Sequence, residues 1–342
     1  MTHLSDLLDT VRDQIEADDS ALAETRTRLA LVRAKANTFY GVLRTYRSGS
    51  LAVHTMNHPV TDGDGGVVLN RNYYPGLGPE GTGEETPSEI VEEMRVHLGP
   101  LIRETYPNAT VGTSKRGPKV YFHDPLPDGA DPTVDLVVAL TRKDGDGIWI
   151  PNLDDDTWDA SDPERHRDLF NDSAAGFRST RRKITRLAKA WNKQWSIPGA
   201  SSFEISVWAY EFVEPGHGVA KGLRALFDQA ASRLENGDPT PDPAGVSTDL
   251  HLEIATHLMA KRLRTAADSM QDALDGATDD DVQEALAAVF FNYLDAPAGS
   301  ASAALAVAAQ KVRTTTVAAS IGVPVAASTL GATTARAYGG HR

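Results

Sequence analysis

The chain has 342 residues, 41% of them hydrophobic and 24% charged, which is enough for one bilobed unit or two domains with a substantial core. Its 34 basic residues against 47 acidic ones leave a net charge of −13, which disfavours a broad grip on duplex nucleic acid or on an anionic membrane and leaves only a local basic groove open. Cysteine is absent, which removes disulfides and thiolate zinc sites. No apolar run is long enough to cross a bilayer. The acidic opening, through Asp19, lacks a basic stretch followed by an apolar one, so no signal peptide is expected and a cytoplasmic location is.

In chain order, Leu4, Leu7, Leu8, Val11 and Ile15 recur at helical spacing and predict a first amphipathic helix. A second periodic stretch from Leu22 through Leu29, Val32, Ala36 and Phe39 to Leu43 predicts one long helix that ends near Arg47-Ser48-Gly49-Ser50. Gly66 to Leu69 is strand-like, and residues 71–87 are a Gly-, Pro- and Glu-rich loop. Thr86-Pro87-Ser88-Glu89 spells a capping box with proline at the first helical position and opens a helix through Leu98 or beyond. Strands are expected at Lys119 to His123, Thr133 to Leu140 and Gly147 to Ile150, with Asp144-Gly145-Asp146-Gly147 turning between the last two. Beyond residue 165 helices dominate, and the last forty or so residues are rich in Ala and Thr. The order predicts an α+β lobe over residues 1–165 and a helical lobe over 166–342.

The informative constellation is Gly49-Ser50, then Asp62-Gly63-Asp64 leading into a strand, and later Asp135 inside Val134-Asp135-Leu136-Val137-Val138. Carboxylates at i and i+2 of an extended segment share a face. A third acid near the start of another strand converges on them if the two strands are neighbours. Asp62-Gly63-Asp64 by itself is also an ordinary turn former. Asp135 is harder to dismiss, because a carboxylate in an apolar strand is costly unless it is paired or faces a wet cleft. Three carboxylates close together need cations between them, and oxygen-only ligands select hard ions such as Mg²⁺. Two such ions roughly 3.5–4 Å apart support in-line displacement at phosphorus. Asp144 with Asp146, and the run Asp154-Asp155-Asp156, read as solvated turns. Gly65-Gly66 weakens the strand but permits close approach of a ligand to its backbone.

Arg47-Ser48-Gly49-Ser50-Leu51-Ala52-Val53-His54-Thr55 followed by Val60-Thr61-Asp62-Gly63-Asp64-Gly65-Gly66-Val67-Val68-Leu69 resembles the Gly-Ser and Asp-x-Asp signature of the polymerase-β-like nucleotidyltransferases. Within that superfamily the chain is most similar to the bacterial CD-NTases, relatives of cyclic GMP-AMP synthase and oligoadenylate synthase. The similarity continues through Asp135, Ile150-Pro151-Asn152, Trp158, Asp162-Pro163, Leu187-Ala188-Lys189-Ala190-Trp191-Asn192 and Ser201-Ser202-Phe203, covering roughly residues 20 to 215. The resemblance implies a polymerase-β-like lobe with a mixed sheet plus a C-terminal helical lobe. It implies that Gly49 and Ser50 hold the donor β- and γ-phosphates, and that Asp62, Asp64 and Asp135 bind two Mg²⁺ ions, with Mn²⁺ as a substitute. Lys189 and Ser202 would then contact the donor triphosphate.

On residues alone, Arg182, Arg186, Lys189 and Lys193 form one face of a helix from Phe177 to Trp195, opposite Ile184, Leu187, Trp191 and Trp195, which is also the pattern of a solvated cationic face. Ser201 or Ser202 equally suits a helix N-cap. Gly76-Leu77-Gly78-Pro79-Glu80-Gly81 matches a dinucleotide-binding pattern, but no helix follows directly and its glutamates repel phosphate. His251 and His257 lack the register of a zinc-protease helix, and the zinc insertion of animal cyclic GMP-AMP synthase needs cysteines.

The resemblance therefore implies an enzyme that joins ribonucleoside triphosphates into a cyclic di- or trinucleotide second messenger for anti-phage defence. Its partners would be those triphosphates and a regulatory protein or an effector that reads the product. A nucleotidyltransferase that tails RNA or modifies a protein or small molecule, and a silent nucleotide-binding module, stay open at this stage.

Overall fold

A computed structural model describes residues 2–143 and 145–297. Asp144 and the Ala- and Thr-rich C-terminal stretch lie outside the described residues. The chain divides into two compact units, one built from residues 17–173 and 241–249, the other from residues 2–16, 174–240 and 250–297.

The first unit is α+β. Helix α2 (Asp19–Ala36) begins where Asp18 accepts from the Ala21 amide. The single long helix expected to reach Leu43 is not formed: α2 stops at Ala36, and Val42–Arg47 is strand β1. Gly41, at φ 74°, turns the chain, and the β-branched and aromatic residues of Val42-Leu43-Arg44-Thr45-Tyr46-Arg47 favour extension. The remaining elements of this unit are α3 (Gly49–Ala52), β2 (Asp62–Leu69), α4 (Pro87–Arg103), β3 (Thr110–Ser114), β4 (Gly117–Tyr121), β5 (Thr133–Thr141), β6 (Ile148–Asn152), β7 (Thr157–Ser161) and α5 (Pro163–Asn171). The expected capping box is present at Thr86 and Glu89. Strands β3 and β7 were not anticipated, because each is five residues long and neither has an apolar alternation that separates it from a loop.

The strands form one mixed sheet in the order β1-β2-β5-β4-β3, with β6 on β5 and β7 on β6. β2 and β5 are parallel, and the other pairs are antiparallel. One face buries Val67, Leu69, Val134, Leu136, Val138 and Leu140 with Leu29 and Val32 of α2 and Ile90, Met94 and Leu98 of α4. Each such side chain contributes roughly 1.5–3 kcal/mol of hydrophobic stabilisation. The other face carries a small cluster of Tyr46, Val68, Ala139 and Ile148, and beyond it the three aspartates. Asp146 is exposed, and Asp156, in the β6–β7 turn, accepts from the amide and hydroxyl of Ser88.

The second unit is helical: α1 (His3–Gln14), α6 (Ala175–Lys193), α7 (Ser202–Phe212), α8 (Val219–Glu235), α9 (Thr256–Asp275) and α10 (Asp279–Val289). Its core includes Leu8 and Val11 of α1 together with Leu187, Trp191, Trp208, Phe227, Leu263 and Leu286, so the N-terminal helix packs with the C-terminal helices. No helix among the described residues is long and apolar enough to cross a membrane.

Candidate active site

The parallel pairing of β2 with β5 places Asp64 directly opposite Asp135, with Asp62 two residues back on the same face. One carboxylate oxygen from each of Asp62, Asp64 and Asp135 lies within 4.8 Å of the others, and all three residues are half-buried. The donor set is oxygen only, which fits a hard divalent cation such as Mg²⁺. Such a group is held by fixed backbone elements, because each aspartate sits in a strand rather than on a loop.

Gly49 closes the site from β1. The amide of Ser48 donates to the carbonyl of Asp64 (3.0 Å), so the chain re-enters the site as it leaves the edge strand. Gly49 then adopts φ 65°, and a Cβ there would collide with the Asp64 carboxylate. Both conformation and space therefore require glycine. Ser50 follows in the short helix α3, its carbonyl accepting from the Thr55 amide (2.9 Å). Gly49→Ala is expected to cost about 1–2 kcal/mol for the left-handed backbone alone. It should also displace Asp64 and reduce turnover by roughly a hundredfold. The check is a melting curve beside a pyrophosphate-release assay, and full activity in Gly49→Ala would disprove the contact.

The glycines after Asp64 serve the protein itself. A Cβ at Gly66 would strike the Tyr46 ring, and one at Gly65 would lie 2.8 Å from the Tyr46 carbonyl. The close backbone approach that these residues permit includes that of β1.

Lys119 completes the group, and no motif in the sequence marks it. It lies on β4 opposite Asp135, and its Nζ donates to Asp135 Oδ2 at 2.7 Å. Burial opposes its charge, but the Asp135 bond and the charges of Asp135 and Asp62 outweigh that and hold its pKa above the ordinary lysine value. Asp135 thus has the partner that an acid in an apolar strand requires. The only sequence signal was a lysine in a strand, and its significance depends on which strand lies alongside.

Lys189 and Ser202 lie in the helical unit. Lys189 is 5% exposed, so the face containing Arg182, Arg186, Lys189 and Lys193 is not uniformly solvated. Arg186 is committed to Glu16 (3.0 Å). Of the neighbouring motif residues, Trp191 packs on Phe227 in the core. Asn192 donates to the Ala200 carbonyl (2.7 Å) and accepts from the amides of Gly199 and Ala200, holding the chain that enters α7. Ser201, not Ser202, caps α7, accepting from the Glu204 amide at 3.0 Å. Ser202 is the first residue of that helix. Among the described residues, the three aspartates are the group suited to a metal ion, and neither His251 nor His257 belongs to one.

No protein-family model matches the sequence, and no curated protein sequence matches it. Solved structures do match. CdnC of E. coli MS115-1, solved with ATP, superposes with a TM-score of 0.62 at 16% identity, covering 84% of this chain and 98% of that one. The Bradyrhizobium diazoefficiens CD-NTase CdnG in complex with GTP gives a TM-score of 0.62 at 16% identity over 89% of this chain and 98% of that one. The Vibrio cholerae cyclic AMP-GMP synthase DncV, with nonhydrolyzable GTP, gives 0.54 at 15% identity over 86% and 87%. The chain has the α+β fold of the bacterial CD-NTases, with a mixed-sheet unit that carries three convergent aspartates and a second, helical unit.

Proposed function

We propose that the protein is a nucleotidyltransferase that joins ribonucleoside triphosphates into a cyclic di- or trinucleotide. The observation that carries this reading is the convergence of Asp62, Asp64 and Asp135 beside Gly49. The CD-NTase fold supports it, as do the similar structures solved with ATP or GTP, one of which is a cyclic AMP-GMP synthase. A complete carboxylate set also favours an enzyme over a silent binding module.

The three aspartates would hold two Mg²⁺ ions. Bound there, the cations would neutralise the triphosphate and favour ionisation of the acceptor hydroxyl. The residues of the chain do the rest. Asp62 and Asp64 orient the donor, whose tail meets the tight turn at Gly49 and Ser50, where backbone N–H groups suit phosphate oxygens. Asp135 faces the acceptor hydroxyl, which attacks the α-phosphorus as pyrophosphate leaves. Lys119 holds Asp135 in place. Lys189 and Ser202 are assigned to the triphosphate. Anti-phage signalling in the cytoplasm, under a regulatory protein and read by a downstream effector, is the setting that we propose for the product.

The test is purified full-length protein with the four ribonucleoside triphosphates and Mg²⁺, with products digested by phosphatase and identified by mass spectrometry. A ring has no terminal phosphate, so a phosphatase-resistant short product is expected. Only linear, phosphatase-sensitive chains, or nucleotide transferred to added RNA or protein, would replace the ring with another transfer. Nucleotide binding without turnover, even in Mn²⁺ at raised pH, would mark a silent module.

Lys189→Met keeps the buried aliphatic volume and removes the charge. We expect its melting temperature to stay within a few degrees and its KM for nucleotide to rise roughly tenfold, the scale of one charge-assisted bond. An unchanged KM would return Lys189 to the structural core of its helix.

A further inference from the structure

The helical unit contains a second feature that the transfer reaction does not use. A cavity of about 330 Å³ opens between the start of α7, the end of α8 and the segment before α9. Its floor holds Glu204, Leu234 and Thr240, and its rim holds Asp238, His251 and Thr256. The size falls within the range of small-molecule sites, roughly 300–1,000 Å³.

Glu204 is the unusual member. It is 1% exposed, and neither of its carboxylate oxygens has a hydrogen-bond partner. The sequence Ser201-Ser202-Phe203-Glu204 spells a capping box, in which the glutamate should bond back to the amide of the serine. Only half of the box is made. Ser201 accepts from the Glu204 amide, whereas the Glu204 carboxylate forgoes the return bond. The capping boxes of α4 and α10 are complete. A buried acid without partners is costly, and an acid diverted from an available bond is more so.

The surroundings state what is missing. No lysine or arginine lines the cavity. Arg233, whose charge favours ionised Glu204, is bonded to Glu211 (2.5 Å), and Thr240, which accepts at Oγ1 from Trp208 Nε1 (2.8 Å), also favours the ionised form. Asp238 adds negative charge at the rim. Leu234, Pro239, Leu250 and Ile254 supply apolar wall. Two acceptor oxygens side by side in a partly apolar, acidic slot complement a planar cation with paired N–H donors.

We propose that this cavity is a binding site for a guanidinium group, held by Glu204 as a bidentate acceptor with Asp238 at the rim. Burial pushes the empty Glu204 carboxyl above the ordinary glutamate range, against the opposing effects of Thr240, His251 and Arg233 and reinforced by Glu253. At a pH low enough that the free carboxyl holds its proton, an arriving guanidinium displaces that proton to the buffer. Affinity should rise with pH until the free acid is ionised.

The experiment is titration calorimetry of the full chain, without nucleotide or metal, using agmatine over a range of pH. Saturable binding that tightens as pH rises through the titration of Glu204 is expected, with N-methylurea, which has the donors but no charge, failing to bind. Glu204→Gln keeps the shape and removes the buried acid, so it should fold at least as well. It should weaken agmatine binding by roughly tenfold or more and abolish that pH dependence. Asp238→Asn should weaken binding less. A blocked Gly-Arg-Gly peptide, run in parallel, separates the sources: tighter binding than agmatine assigns the site to an arginine of a partner protein, and weaker binding assigns it to a free small molecule. No saturation by about 20 mM agmatine, a range in which even weak binding of about 1 mM is complete, overturns the proposal. So does equal affinity in Glu204→Gln.

Discussion

Asparagine at Asp62, Asp64 or Asp135 is expected to cut pyrophosphate release by roughly a thousandfold or more, the scale of losing a metal-held charge at the reacting phosphorus. Each side chain keeps its size, so the strands should keep their register. Asp135→Asn also removes the partner of Lys119 and should therefore lower the melting temperature in the absence of metal. Mg²⁺ should raise the melting temperature of the wild type and not of the variants. Asp146→Asn, at an exposed turn, should match the wild type in every measurement. An active Asp62→Asn or Asp64→Asn protein with an unaltered response to Mg²⁺ would sink the assignment of the site.

The largest loss of stability is expected at Arg28. Its side chain is fully buried on α2, where it bonds Glu24 (2.7 Å), Asp131 (2.5 Å) and the carbonyls of Pro132 (2.8 Å) and Asp124 (2.5 Å). Its guanidinium also lies over the Phe122 ring at 4.5 Å. These contacts fix the segment that leads into β5 and therefore into Asp135. Arg28→Met leaves Glu24 and Asp131 without their cation, at a cost of about 3–5 kcal/mol. For a unit of this size that is a fall of roughly 10 °C in melting temperature. Hydrogen exchange should accelerate across residues 124–136, and turnover should fall with it. Arg28→Lys should rescue little, because a point charge cannot reach four acceptors in a plane.

The sign of the pH dependence follows from Glu24. Burial opposes its ionisation, but the bonds from Arg28 and Tyr106 outweigh it and lower its pKa. Stability from this pair is present above the ordinary glutamate pKa and disappears as pH falls through the lower folded value. The gap between wild type and Arg28→Met should narrow in acid. An unchanged gap down to pH 2, or unchanged exchange near residue 130, would refute the role given to Arg28.

Much of the local structure was legible in the chain. Helical periodicity located α1, the capping box at Thr86 located α4, and the interrupted apolar run around Asp135 located β5. These signals are local: a period, a cap, or a charge in an apolar strand. Where two local preferences conflict, the period alone does not decide the element. Residues 37–47 continue the helical period of α2 closely enough to suggest one helix, yet Gly41 turns the chain and β1 pairs with β2. Strand pairing, a non-local contact, decided that segment.

By itself the sequence determined the acid types, their order and the Gly-Ser pair, because side-chain chemistry and i, i+2 spacing are properties of the chain. Only the tertiary structure decided that Asp135 stands opposite Asp64, that Lys119 is its counter-ion, that Gly49 is pressed against Asp64, and that the Glu204 carboxylate leaves its cap unmade. Each of these depends on which strand lies beside which, or on how a side chain settles against a wall contributed from elsewhere in the chain. Such contacts are selected by the packing of the whole core and are not encoded at any single position.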